Sequence, residues 1–91
     1  MTAAPWGIQV TSRFERDLHC LPPRIATAVV EFVTAVLPEH LLRMSKALSG
    51  ELEGIRSARR GDYRVLVELD EDAHIAVLLR VAHRAHVYRP K

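Results

Sequence analysis

An α+β fold, a small antiparallel sheet with an N-terminal α-hairpin packed on one face, is what this sequence predicts. Three observations carry the prediction. Between Phe14 and Val36 apolar residues recur at three- and four-residue steps, the period of helices. After Gly54 the period drops to two, the period of strands. Proline and glycine mark the joints, at Pro22-Pro23, Pro38, Gly54 and Gly61. The 91 residues suffice for a single domain, residues 1–91, with a thin core. At 48% hydrophobic and 26% charged residues, the composition excludes wholesale disorder.

Trp6, Ile8 and Val10 alternate with Gly7, Gln9 and Thr11, which predicts a short half-buried strand. Ser12-Arg13-Phe14-Glu15 reads as a capping box, with Ser12 accepting from the amide of Glu15 to open a helix. Phe14, Leu18 and Leu21 share one side of it. Pro22-Pro23 stops it, because neither proline can donate and each restricts its predecessor. Pro23 suits the first position of a second helix, whose face is Ile25, Val29, Phe32, Val33 and Val36 and which Pro38 closes. From Pro38 to Leu52 the pattern weakens into a linker with at most one helical turn, in which Leu41, Leu42, Met44 and Leu48 pack. Tyr63, Val65, Val67 and Leu69 alternate with Arg64, Leu66, Glu68 and Asp70, a strand with one side apolar. The acidic turn Asp70-Glu71-Asp72 leads into His74 to Ala82, a nearly continuous apolar run expected of a strand buried on both faces. A last short strand is expected around Val87-Tyr88. The predicted order is β-α-α-β-β-β.

Several classes are excluded at this level. No apolar run approaches the ~20 residues of a bilayer span, and the N-terminus lacks the basic flank and apolar stretch of a secretory signal. Cys20 is the only cysteine, so neither an internal disulfide nor a cysteine-based zinc site is possible. His19, His40 and His74 are scattered, with no carboxylate at ligand spacing, so no metal site is expected. No glycine-rich phosphate loop, GxSxG or cysteine–histidine pair is present. A reducing, cytoplasmic location with no membrane partner and no cofactor is the expectation.

Charge is where the sequence becomes specific. The net charge of +2 hides an asymmetry. From Gly54 onward two basic patches stand out: Arg56, Arg59, Arg60 and Arg64, then Arg80, Arg84, Arg89 and Lys91. Arginine's planar fork donates two parallel hydrogen bonds to phosphate, so these residues are candidates for binding nucleic acid. The competing explanation is a solvated surface in a chain that uses Arg wherever Lys serves. If Gly61-Asp62 is a two-residue hairpin turn, partners sum to 123 and Arg59 faces Arg64 across the strands. Like charges so placed destabilise a sheet unless an anion lies between them, which suits a phosphate site. A four-residue turn instead leaves both as ordinary surface arginines. The two-residue register also sets Ile55 on the arginine face, without an evident reason. Nearby, His83 and Tyr88 can transfer protons and Arg84 can stabilise a phosphorane dianion, while a strand-end histidine bonded to backbone is the plainer reading of His83.

Taken in order, Arg16-Asp17-Leu18, Leu21-Pro22, Glu31-Phe32-Val33, the stretch from Leu48 to Gly54, that from Ser57 to Arg64, His83-Arg84 and Val87-Tyr88-Arg89 resemble the RelE toxins of bacterial toxin–antitoxin pairs. The resemblance covers nearly the whole chain. It implies the same β-α-α-β-β-β fold and ribosome-dependent cleavage of mRNA in the A site, neutralised by a RelB-like antitoxin. The implied chemistry is metal-independent attack of a ribose 2′-hydroxyl on the adjacent phosphate. Arg64, Arg84, Tyr88 and His83 match or adjoin the catalytic positions; Arg56, Arg59, Arg60, Arg80, Arg89 and Lys91 are the implied RNA-binding set. Ser57 departs from the pattern, since many members carry a second basic residue there. Two alternatives share the features: a ParE-like toxin that binds DNA gyrase and cuts nothing, and a basic nucleic-acid-binding domain without catalysis. Retention of Arg59, Arg64, Arg84 and Tyr88 together favours the nuclease. Aromatics at 5% of residues disfavour the third reading, which needs stacking platforms among its cations.

Overall fold

The computed structural model describes residues 4–88. Strand β1 (Gly7–Val10) is followed by helices α1 (Ser12–His19), α2 (Pro23–Glu31) and α3 (Leu37–Met44). The remaining strands are β2 (Ser45–Ala47), β3 (Ile55–Arg60), β4 (Tyr63–Asp70) and β5 (Ile75–His83). They form one five-stranded sheet in the order β1-β5-β4-β3-β2, with the helices on one face, so the α+β class is as expected. The sheet is antiparallel except at one edge, where β1 runs parallel to the last strand, β5. Alternation along a strand says which side is buried but nothing about its partner's direction.

The N-cap of α1 is Thr11, one residue earlier than the expected Ser12: its Oγ1 accepts from the Phe14 amide at 3.1 Å. The same hydroxyl donates to the Leu78 carbonyl at 2.8 Å, so one side chain both starts the helix and fastens it to β5.

Pro38 does not end the second helix. A π turn over Phe32–Val36 joins α2 to α3, and the Leu37 amide reaches back to the Phe32 carbonyl. A strict four-residue step drifts by about 40° around a 3.6-residue helix. The wide turn removes much of that drift, keeping Val29, Val33, Leu37 and Leu41 on the sheet side while Val36, assigned to the core from sequence, is exposed. Pro38, lacking an N–H, sits in the first turn of α3, where none is needed, and its carbonyl accepts from the Trp6 amide at 3.0 Å. The run Pro23–Met44 thus has 22 residues, long and apolar enough by length and composition to cross a bilayer. Here its apolar stripe covers the sheet.

The expected linker therefore contains most of α3, the short edge strand β2 and a 3₁₀ turn at Gly50–Leu52. Leu41 is buried and Met44 packs on the core, whereas Leu42 is 60% exposed. The core lies between helices and sheet: Phe14, Val29, Phe32, Val33, Leu37 and Leu41 meet Ala58, Val65, Val67, Ala76, Leu78 and Val81. The last strand expected at Val87-Tyr88 is instead a turn, in which the amides of His86 and Val87 both donate to the His83 carbonyl.

Candidate functional site

The helices leave the other face of the sheet bare, and the hairpin register decides which side chains stand on it. Gly61 takes φ 60° at the first central position of a two-residue turn, which only glycine adopts without strain. The partners follow: Arg60 with Tyr63, Arg59 with Arg64, Ala58 with Val65, Ser57 with Leu66. Since Ala58 and Val65 are in the core, Arg59, Arg64, Ser57 and Leu66 point to the open side. The facing arginines are therefore real. Arg64 eases the repulsion by folding back on the turn, its Nη1 donating to the carbonyls of Gly61 at 3.1 Å and Tyr63 at 3.2 Å.

Between Leu66 and Val67 the β4–β5 register shifts, pairing these residues with Arg80 and Leu78 and leaving Leu79 without a partner. Bulges re-aim side chains. Here Leu79 and Arg80 join Leu52, Ile55, Leu66, Val87, Tyr88 and Glu51 around a groove of about 360 Å³ on the open face. Ile55, unexplained from sequence, belongs to the wall of this groove. Leu66 and Val87 are buried there, outside the main core. The turn after β5 is held over this face by the Arg84 amide, which donates to the Asp62 carbonyl at 2.8 Å. The Arg84 guanidinium lies 3.8 Å from the Asp62 carboxylate, with both side chains mostly in solvent, so that pair contributes little.

The sequence candidates divide between the two faces. Arg59, Arg64, Arg80 and Tyr88 share the open side, with Arg84 at its rim. Arg56 does not: it pairs with Val67 on the helix side, and its Nε donates to Ser45 Oγ at 2.7 Å while Nη2 reaches the Ser45 carbonyl at 3.0 Å. It ties β2 and the end of α3 to the sheet. Arg60 also faces the helix side, beside Phe32, Ala35 and Val36. His83 pairs with Tyr63, so it too is on the helix side, its ring edge-on to Tyr63 at 5.5 Å. Its Nδ1 accepts from the Ala85 amide at 3.1 Å, the backbone-bonded arrangement noted above as the plainer reading. Arg89 and Lys91 lie outside the described residues.

One organising residue was missed. β1 stops pairing with β5 at Leu78, and beyond it the strand edge is capped by Asp17 of α1. Asp17 Oδ2 accepts from the Val81 amide at 3.1 Å and from Arg80 Nε at 3.2 Å, and Oδ1 accepts from Arg13 Nε at 3.2 Å. The sequence gives no sign of this beyond an acid one turn into an amphipathic helix. Among the described residues, no group of three or more His, Cys, Asp or Glu side chains is arranged to hold a metal.

A layer of helices thus covers one sheet face, and cations and a tyrosine stand on the other. The family model described as "ParE toxin of type II toxin-antitoxin system, parDE" matches residues 8–88. Toxin RelG of Mycobacterium tuberculosis is 49% identical over 85 residues, covering 93% of this chain and 98% of that protein. Toxin RelE of the same organism is 42% identical over 85 residues, covering 93% and 88%. In the crystal structure of the RelBE2 toxin–antitoxin complex from M. tuberculosis, one chain superposes with TM-score 0.87 at 46% identity, covering 93% of this chain and 99% of that one. The chain belongs to the RelE/ParE superfamily of type II toxins.

Proposed function

We propose that this toxin is an endoribonuclease that cuts mRNA in the ribosomal A site and is neutralised by a RelB-like antitoxin encoded with it. The observation that carries the reading is the Arg59–Arg64 pair facing across the open sheet, with Arg84 at its rim and Tyr88 on the same side. In the proposed reaction the ribose 2′-hydroxyl attacks the adjacent phosphorus, the bond to the 5′-oxygen breaks, and a 2′,3′-cyclic phosphate and a 5′-hydroxyl result. Arg64 and Arg59 bind the non-bridging oxygens, and their charge opposes the added negative charge of the phosphorane. Arg84 approaches the same phosphate from the turn. Tyr88 transfers a proton to or from a reacting oxygen; His83, across the sheet, is left out of this step. Tyr88 is the one proton-transfer group this reading assigns to the open face, so the ribosome supplies the alignment of hydroxyl and phosphorus.

Primer extension on an mRNA translated with and without the toxin tests this. Strong cuts in the ribosome-bound message and weak ones in naked RNA are expected; equal rates in both would sink the ribosome dependence. The second reading, a toxin that binds DNA gyrase without cutting RNA, draws support from the ParE description of the matching family model. Inhibition of gyrase supercoiling by a protein that leaves translated mRNA intact would establish it instead.

A further inference from the structure

The tip of the β3–β4 hairpin carries cations on both faces. Arg59 and Arg64 point to the open side, while Arg60, next in sequence, points to the helix side with Tyr63 and His83. Arg60 is exposed, and its guanidinium makes no hydrogen bond or ion pair with another described residue. Beside it the Tyr63 ring contacts His83, and His86 follows with its ring centre 6.1 Å from that of His83. Because His83 Nδ1 accepts an amide hydrogen, its other nitrogen, Nε2, is the donor. Glu31 lines the same shallow pocket as Arg60, and Asp62 at the tip lies 3.8 Å from Arg84.

We propose that this tip is a two-sided RNA prong: the open face holds the message, and Arg60 and His83 hold backbone phosphates of ribosomal RNA on the other side. This rests on the proposed ribosomal site of action. A peptide laid on the sheet meets one face only. A prong with donors on both sides fits between phosphate-lined walls, as folded RNA provides. The contacts are to backbone and therefore independent of sequence.

The test uses the full chain with Arg60→Ala, Arg60→Lys and Arg64→Ala. Binding of labelled protein to message-programmed ribosomes gives Kd, and cleavage on the same ribosomes gives kcat and KM separately. Arg60→Ala should weaken binding about tenfold, raise KM to match, reduce the salt slope by about one and leave kcat within twofold. Arg60→Lys should restore most of the loss, since a point charge serves a phosphate. Arg64→Ala should lower kcat instead. Unchanged Kd and salt slope in Arg60→Ala would overturn the prong. So would a variant that keeps its ribosome affinity but loses antitoxin affinity, which would make this the antitoxin's surface. A wild-type toxin that binds ribosomes but cuts nothing defeats the nuclease reading and leaves the prong standing if Arg60→Ala still weakens binding. A wild-type toxin with no ribosome affinity overturns both.

Discussion

Replacing Asp17 by alanine should destabilise the toxin more than any other single change at its surface helix. The Asp17 side chain is 12% exposed, so water cannot easily replace what it provides. Three donors converge on it: the Val81 amide, Arg80 Nε and Arg13 Nε. Losing the acceptor for Val81 leaves a backbone N–H unsatisfied at the one stretch of β5 edge that β1 does not cover, at ~1–3 kcal/mol. The hydrogen bond from Arg80, itself only 20% exposed, adds roughly 1 kcal/mol, and the more exposed Arg13 adds little. The sum is about 2–4 kcal/mol. For a chain of this size 1 kcal/mol moves the melting point by ~4–8 °C, so a fall of roughly 10–25 °C is expected. Asp17→Asn keeps an acceptor for Val81 and should cost only about 1 kcal/mol. Thermal unfolding followed by circular dichroism on both variants decides it. An alanine variant melting within about 3 °C of wild type would show that the β5 edge does not depend on this carboxylate.

Arg64→Ala should remove toxicity in growth assays by a rate loss on the order of 100-fold, while stability changes by no more than about 1 kcal/mol, because among the described residues its side chain bonds only to the carbonyls of Gly61 and Tyr63 at the hairpin tip. A fully toxic variant, or one that fails to fold, would mean the site is elsewhere. Val87→Asp should release the turn after β5 from the groove; limited proteolysis should then cut near the C-terminus while the main melting transition stays within a few degrees. Protection equal to wild type would refute that anchoring role. Gly61→Ala should cost ~1–2 kcal/mol in urea unfolding from backbone strain alone, since a Cβ there meets nothing within 4 Å.

The hairpin was legible from sequence because a two-residue turn fixes register by counting, and Arg59 opposite Arg64 followed. The same counting assigns Arg56 and Arg60 to the other face. Grouping them with Arg59 and Arg64 by nearness in sequence hid that parity, as it hid the face of His83. Other features were out of reach. Proline is read as a helix breaker, yet a π turn brings Pro38 into the first turn of α3, where its missing N–H is harmless. β2 has three residues and no alternation to detect. Val87 looks like strand because it is apolar and buried, but its amide closes a turn on His83. Asp17 gained its importance from a β5 edge 64 residues away, which no local pattern records.

An interior strand of the sheet, β5, is also the last of the described strands to be synthesised. β5 lies between β1, from the start of the chain, and β4, and it receives the side chains of Thr11 and Asp17 as well. Until residues 75–83 leave the exit tunnel, β1 has no strand to pair with and α1 has nothing to fasten to. Helices and the β3–β4 hairpin can form earlier from local contacts, but the layer that holds the arginines at fixed spacing cannot close. The surface that carries Arg59, Arg64 and Arg80 is therefore completed only once residues 75–83 are free to pair.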